Sequence, residues 1–135
     1  MYNITGDRSM SILNRALDGL QLRQQAISNN IANADTPNYK RKDVNFRSQL
    51  KMALNDNNVG LTTTQKSHFS IKPDLNKLNF NVREVNNTKI RNDRNNVDID
   101  REMSKLAKNG LEYQAVTRML SMKVNQLSNV INKVK

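Results

Sequence analysis

The sequence predicts a mainly α-helical protein in which long N- and C-terminal helices form an antiparallel coiled-coil hairpin. Apolar residues recur every three or four positions at both ends of the chain, and this spacing is lost between them. Such spacing is typical of a helix that packs against another helix. The 135 residues fit one domain, residues 1–135, whose irregular middle region is expected to contain a short helix and short β-strands.

The N-terminal helix is predicted over residues 9–36. Its apolar positions, interrupted at Gln24, are Met10, Leu13, Leu17, Leu20, Ile27, Ile31 and Ala34. Ser9 is a suitable N-cap. Pro37 is expected to end the helix, because the residue before a proline is pushed out of the α region. Residues 1–8 are interpreted as a disordered segment.

The C-terminal helix is predicted over residues 98–135. Its strict register runs through Ile99, Met103, Leu106, Gly110, Tyr113, Thr117, Leu120, Val124, Leu127, Ile131 and Val134. Asp98, Asp100 and Glu102 place negative charge in the first turn, which suits the helix dipole. At ~1.5 Å per residue the helix would span about 55 Å, too long for a compact globule of this size. It therefore needs a partner along most of its length.

The first helix can cover only part of the second, so the sequence predicts association with neighbouring chains. The predicted helix-packing interface comprises Leu13, Leu17, Leu20, Ile27, Ile31, Ile99, Met103, Leu106, Tyr113, Leu120, Val124, Leu127 and Ile131. These stripes are expected to pack both within and between subunits. A composition with 36% hydrophobic and 4% aromatic residues agrees with a core that neighbours complete.

The middle region, residues 37–97, is rich in Asn and Lys and poor in long apolar runs. Apolar spacing at residues 46–54 predicts a short amphipathic helix. Residues 78–82 alternate apolar and polar side chains, which predicts a strand, and residues 69–71 suggest a second one.

The composition argues against an enzyme. The chain has no cysteine and a single histidine, His68, so no familiar metal-binding motif is present and no metal or cofactor is expected. The four glycines form no phosphate-binding loop, and no catalytic residue is assigned. No secretory h-region or membrane-spanning stretch is predicted.

The net charge of +10 comes from 22 basic and 12 acidic residues, and the excess lies mainly in residues 37–97. A basic excess can bind nucleic acid, although it is more often a solvated face. A basic helical nucleic-acid binder and a free-standing coiled-coil adaptor therefore stay open as alternatives at this point.

Residues 16–46 read ALDGLQLRQQAISNNIANADTPNYKRKDVNF. Asparagine is unfavourable inside helices because its amide competes for backbone hydrogen bonds. Asn29, Asn30 and Asn33 are therefore expected to bond to a neighbouring chain or to cap the turn, unless they reflect biased composition. Residues 36–39 predict a turn in which Asn38 takes a left-handed conformation.

This stretch resembles the NNxANxxTPGY pattern that ends the first helix in the flagellar rod, hook and hook-associated family. The matching residues are Asn29, Asn30, Ala32, Asn33, Thr36, Pro37 and Tyr39. Asn38 replaces the usual glycine. The stretch RNDRNNVDIDREMSKLAKNGLEYQA also resembles a rod member of this family, with Arg94 where glycine is expected. The resemblance covers both ends of the chain and says little about residues 55–88.

The resemblance implies a structural subunit of the proximal rod in the flagellar basal body, or a sister subunit of that rod. Family members are exported by the flagellar type III apparatus through an uncleaved N-terminal segment and assemble in the periplasm as a drive shaft. The implied partners are other copies of the chain, other rod subunits, proteins at the junction of the basal-body ring and export gate, and the export apparatus. Neither nucleic acid nor direct membrane insertion is implied.

Overall fold

The structure, a computed structural model, describes residues 8–55, 78–86 and 94–133. The elements in chain order are α1 (Arg8–Ala32), β1 (Lys42–Val44), α2 (Phe46–Asn55), β2 (Val82–Glu84) and α3 (Ile99–Lys133). The prediction of a mainly α protein, with long terminal helices and a middle region holding a short helix and short strands, is confirmed.

Helices α1 and α3 run antiparallel. Asn30, near the end of α1, contacts Glu102, near the start of α3. Asn14, near the start of α1, lines a groove with Val124 and Ile131, near the end of α3. The helices have 25 and 35 residues, so α3 is longer by about 15 Å at ~1.5 Å per residue.

Helix α1 ends at Ala32, four residues before the predicted end at residue 36. The next residues form turns, in which the Thr36 amide donates to the Asn33 carbonyl (3.1 Å) and the Tyr39 amide to the Thr36 carbonyl (3.3 Å). Asn38 has a φ of 61°, so its predicted left-handed conformation is confirmed.

The middle region forms a two-stranded antiparallel sheet, β1 with β2, in which Val44 pairs with Val82. The strand expected at residues 78–82 begins instead at Val82. Strand β1 was not predicted, because its sequence, Lys-Asp-Val, does not alternate apolar and polar residues. The short helix expected at residues 46–54 is α2. The strand suggested at residues 69–71 lies outside the described residues. So do residues 1–7 of the predicted N-terminal segment.

The core lies where α1, β1 and α2 meet α3. Its buried members are Leu20, Ala26, Val44 and Phe46, with Leu22, Phe80 and Val116 packed against them. Phe46 and Phe80 meet edge to face, with ring centroids 6.0 Å apart, which is a favourable aromatic geometry. This core joins the middle region to both long helices and fixes the position of the polar groups described below.

Arg94 has a φ of 63°, a left-handed conformation in a residue that is not glycine. The family resemblance leads us to expect glycine here, and the backbone keeps the conformation that glycine would favour. Asp98 then caps α3, because its Oδ1 accepts from the Arg101 amide at 3.1 Å. The chain thus enters α3 through a sharp turn and a capped first turn.

Candidate functional site

The predicted helix-packing residues fall into two groups in the single chain. The buried or part-buried ones are Leu13, Leu17, Leu20, Ile27, Ile31, Leu106, Leu120 and Leu127. The exposed ones, each with 44% to 55% of its surface accessible, are Ile99, Met103, Tyr113, Val124 and Ile131. The exposed group lies entirely on α3. Its role in packing between subunits stays a prediction.

A polar cluster joins the end of α1 to the start of α3, and Asn30 is at its centre. The Asn30 side chain is fully buried. Its Nδ2 donates to the Lys42 carbonyl (2.8 Å) and to Glu102 Oε2 (2.9 Å). Its Oδ1 accepts from the Lys42 amide (2.8 Å) and the Tyr39 hydroxyl (3.3 Å). One amide therefore connects α1, the turn, β1 and α3.

Glu102 supplies the negative charge of this cluster, although only 1% of its surface is exposed. Its Oε1 lies 2.5 Å from Lys105 Nζ and 3.6 Å from the Arg41 guanidinium. A buried carboxylate needs such partners because removal from water penalises its charge. The sequence assigned Glu102 to the helix dipole alone, so its place in the core corrects that interpretation.

A second contact, formed by Asn95, holds the turn after α1. Asn95 is fully buried, and its Nδ2 lies within 3.0 Å of the carbonyl oxygens of Asn33, Ala34 and Thr36. Its Oδ1 accepts from the Val97 amide at 2.8 Å. These carbonyls all belong to the turn that follows α1, so Asn95 fixes the path of the chain after the helix.

Two further asparagines complete the polar connections. Asn96 Oδ1 accepts from the Arg41 amide at 2.7 Å. Asn109 Nδ2 donates to the Leu20 carbonyl (3.0 Å) and to Gln24 Oε1 (2.8 Å), which joins α3 to the middle of α1. Sequence reasoning missed both residues, because polar side chains are counted as exposed unless their partners are known.

The structure brings only part of the family motif into the cluster. Asn30 is buried and Tyr39 is part-buried, whereas Asn29, Ala32 and Pro37 are exposed. The motif's remaining residues act locally: Asn33 Nδ2 donates to the Asn29 carbonyl at 2.8 Å, and the Thr36 hydroxyl lies 3.3 Å from Asn33 Oδ1. Of the two roles expected for these asparagines, Asn33 has the local capping one, whereas Asn30 binds β1 and α3 of its own chain.

The Tyr39 phenol is part-buried and lies near two carboxylates. Burial, and then the nearby carboxylates of Glu84 and Glu102, raise the pKa of the Tyr39 phenol above its ordinary value of 10.0. The phenol is therefore held neutral, in the form that can donate its hydrogen bond to Asn30. This arrangement is a structural one, and among the described residues no three acidic or histidine side chains come close enough to hold a metal ion.

Comparison with known proteins identifies the family. The family model "Flagella basal body rod protein" matches residues 10–40, which include the end of α1 and the turn. The chain is 34% identical to the flagellar basal body rod protein FlgB of Aeromonas hydrophila over 131 residues, 92% of each chain. This chain belongs to the FlgB family of flagellar basal body rod proteins. The FlgB proteins of Bacillus subtilis (36% identity, 88% of this chain and 89% of the relative) and Escherichia coli (32%, 93% and 94%) are similar over almost the same span.

The similarity to FlgB relatives includes both long helices. The similarity to these relatives covers about nine tenths of the chain and extends beyond the motif, so Glu102 and Asn109 of α3 fall within it. None of the helices in the described part of this FlgB-family chain is long and apolar enough to cross a membrane.

Proposed function

We propose that this chain is a structural subunit of the proximal rod of the bacterial flagellar basal body. The observation that carries the proposal is its similarity, over about nine tenths of its length, to relatives named as flagellar basal body rod proteins. In this role the chain is polymerised into the axial shaft that transmits torque. Such a shaft requires extensive packing and no active site.

The exposed apolar row on α3 supports polymerisation. Met103, Tyr113 and Val124 are about half exposed. Removing apolar surface of this kind from water lowers the free energy. Contacts of this row with other copies and with other rod subunits would remove it from solvent. Contacts that pair different surfaces of successive subunits generate open helical filaments.

The same proposal includes the route to the periplasm. The flagellar type III apparatus exports the chain without a cleaved signal, and the rod forms beyond the inner membrane. The subunit then contacts proteins at the junction of the basal-body ring and export gate. Its role includes no nucleic-acid binding, no membrane insertion, no cofactor and no catalysis.

Mass spectrometry of detergent-extracted, sedimented basal bodies from the source organism tests the proposal. We expect the chain to co-purify with the ring and hook subunits. Basal bodies that contain those subunits but lack this chain would overturn the assignment. A soluble chain that binds DNA with strong salt dependence would favour the nucleic-acid alternative instead.

A matched pair of variants tests the α3 row. Tyr113→Asp places a charge in the exposed apolar row, and Gln114→Asp places the same charge at the neighbouring exposed position. We expect Tyr113→Asp to be exported but poorly incorporated into basal bodies, while Gln114→Asp incorporates normally. Equal incorporation of both variants would contradict a packing role for Tyr113.

A further inference from the structure

Asn109 and Gly110 form the only Asn-Gly pair in the sequence. In such a pair the backbone nitrogen of the glycine can attack the side-chain carbonyl carbon of the asparagine, because glycine has no Cβ to obstruct the approach. The attack closes a succinimide ring and releases the side-chain nitrogen as ammonia. One water molecule then opens the ring and leaves either aspartate or isoaspartate. The sequence therefore contains one site that is chemically favourable for deamidation.

The backbone of α3 opposes this reaction. Asn109 and Gly110 lie inside α3 (Ile99–Lys133), where each backbone N–H is bonded to the carbonyl four residues earlier. A nitrogen in that ladder keeps its proton, and the helical backbone angles direct it away from the side chain of the preceding residue. Ring closure therefore requires α3 to open locally around residue 110.

The contact with α1 restrains the side chain of Asn109 as well. Only 1% of the residue is exposed. Its Nδ2 donates to the Leu20 carbonyl (3.0 Å) and to Gln24 Oε1 (2.8 Å). Both hydrogen bonds must break before the amide can turn toward the nitrogen of Gly110. Packing of α1 against α3 thus adds a second barrier to the one that the helix itself provides.

The products of deamidation do not fit this packing. The reaction replaces the donor at Nδ2 by a carboxylate oxygen, and the Leu20 carbonyl that it faces can only accept. Asn109 Oδ1 is buried and has no hydrogen-bond donor among the described residues. An aspartate at position 109 would therefore bury a charge without donors, which is far less favourable than the amide. Isoaspartate also lengthens the backbone by one atom and interrupts the hydrogen-bond ladder of α3.

We propose that Asn109 is a deamidation site that the folded α1–α3 pair protects and that reacts whenever the pair opens. A chain that stays open converts Asn109 to aspartate or isoaspartate, and either product disfavours closing of the pair. The reaction consumes only water, so it needs no enzyme and no bound cofactor. Because the site belongs to the folding of a single chain, it holds whether or not the chain is a rod subunit.

Peptide mapping by mass spectrometry tests the protection. The full chain is incubated in mildly alkaline buffer, either folded or unfolded by guanidinium chloride, and conversion at residue 109 is followed over time. We expect conversion at least ten times faster in the unfolded chain, because the folded chain reacts only through local opening. Equal rates in the two conditions would overturn the protection. Conversion in the unfolded chain that is no faster at Asn109 than at Asn29 would overturn the site.

Gly110→Ala is the matched control for the chemistry. A Cβ at this position would meet nothing within 4 Å, so the variant keeps the packing of α3 and changes only the access of the backbone nitrogen. In guanidinium chloride we expect its conversion at residue 109 to be at least ten times slower than in the natural chain, with no change at Asn29. Equal conversion of the two chains at residue 109 would show that the Asn-Gly pair does not direct the reaction.

A second pair of variants tests the consequence for folding. Asn109→Asp reproduces one product, and Asn125→Asp adds the same charge at an exposed position of α3. We expect Asn109→Asp to unfold at a clearly lower urea concentration than Asn125→Asp, or not to fold at all, as followed by circular dichroism. Equal unfolding midpoints would refute the coupling between deamidation and loss of the α1–α3 pair.

Discussion

Asn30 contributes more to this fold than its position in a polar helix suggests. Its amide satisfies both the N–H and the C=O of Lys42, at 2.8 Å each, and also binds Glu102. Removing one partner from a buried network leaves the others without hydrogen bonds, which costs more than the net value of any single bond. The side chain therefore holds β1 in place and keeps a buried charge paired.

We predict that Asn30→Ala lowers the free energy of unfolding by about 2–4 kcal/mol, because Lys42 and Glu102 lose buried partners. Asn29→Ala is the matched control, since Asn29 is the adjacent residue of the motif and is exposed. Its expected change is within about 0.5 kcal/mol. Urea unfolding followed by circular dichroism measures both, and equal losses would show that burial of Asn30 does not determine its role.

Tyr39 gives the fold a dependence on alkaline pH. Because its pKa is raised in the folded state, the unfolded chain loses the phenolic proton first as pH rises. The contribution is fully present below the unfolded pKa of about 10 and is lost as pH rises through the folded pKa. We predict that unfolding free energy falls more steeply above pH 10 in the natural chain than in Tyr39→Phe.

Below pH 10 the unfolding free energies of the natural chain and Tyr39→Phe should differ by a constant amount. This difference reflects the missing hydroxyl contact with Asn30. Urea unfolding at a series of pH values separates this offset from the slope, and the lysines common to both proteins cancel in the difference. Parallel curves across the whole series would show that the cluster does not perturb the phenol.

The buried polar residues mark the limit of what the sequence could predict. Asn29 and Asn30 are identical in type and adjacent, yet one is exposed and the other fully buried. The spacing of buried positions on α1 favours burial of Asn30. Burial also requires hydrogen-bond partners for its amide, which Lys42 and Glu102 supply. Those partners are distant in the chain, so the helix could be predicted and the cluster could not.

At the scale of the elements, α3 has a wider apolar surface than one helix can cover. The row facing α1 includes Glu102 and Asn109, while the exposed row includes Met103 and Val124. The two rows differ by one residue in register, or roughly 100° around a helix with 3.6 residues per turn. Of the packing residues that the sequence predicts on α3, Leu106, Leu120 and Leu127 are part-buried and the other residues are exposed, so their packing stays a prediction.

The approach of α2 to α1 depends on Gly19. A Cβ at this position would lie 2.5 Å from Phe46 Cγ and 2.8 Å from Phe46 Cβ. Real side chains do not tolerate such distances, and Phe46 is a buried core residue that cannot simply swing away. The glycine therefore permits the close contact on which the core between α1, β1 and α2 depends.

We predict that Gly19→Ala lowers the free energy of unfolding by about 1–3 kcal/mol, the usual range for overpacking. Gly110→Ala is the matched control on α3, where a Cβ would meet nothing within 4 Å. That change should stabilise the chain by about 0.5–1 kcal/mol through helix propensity. Adding Phe46→Leu to Gly19→Ala should recover part of the loss, and a stabilised Gly19→Ala protein would contradict the close approach.

At the scale of the whole molecule, the two ends of the α1–α3 hairpin differ in character. The half that begins at the turn contains the buried side chains of Glu102 and Asn109, each bonded to α1. Toward the other end, Met119, Met122 and Val130 are 51% to 63% exposed. Regions with few buried contacts open at lower free energy than the core, so local stability should decrease along α3.

Hydrogen exchange measured by mass spectrometry can follow this difference through assembly. In the isolated chain, amides of residues 102–112 should exchange at least ten times more slowly than those of residues 124–132, because the first segment is tied to α1 by Glu102 and Asn109. In sedimented basal bodies the second segment should become protected, since neighbouring subunits would then cover its apolar side chains, while the first changes little. Uniform protection along α3 in the isolated chain would mean that α1 alone stabilises the full helix. The exposed row would then no longer require a neighbour to explain it.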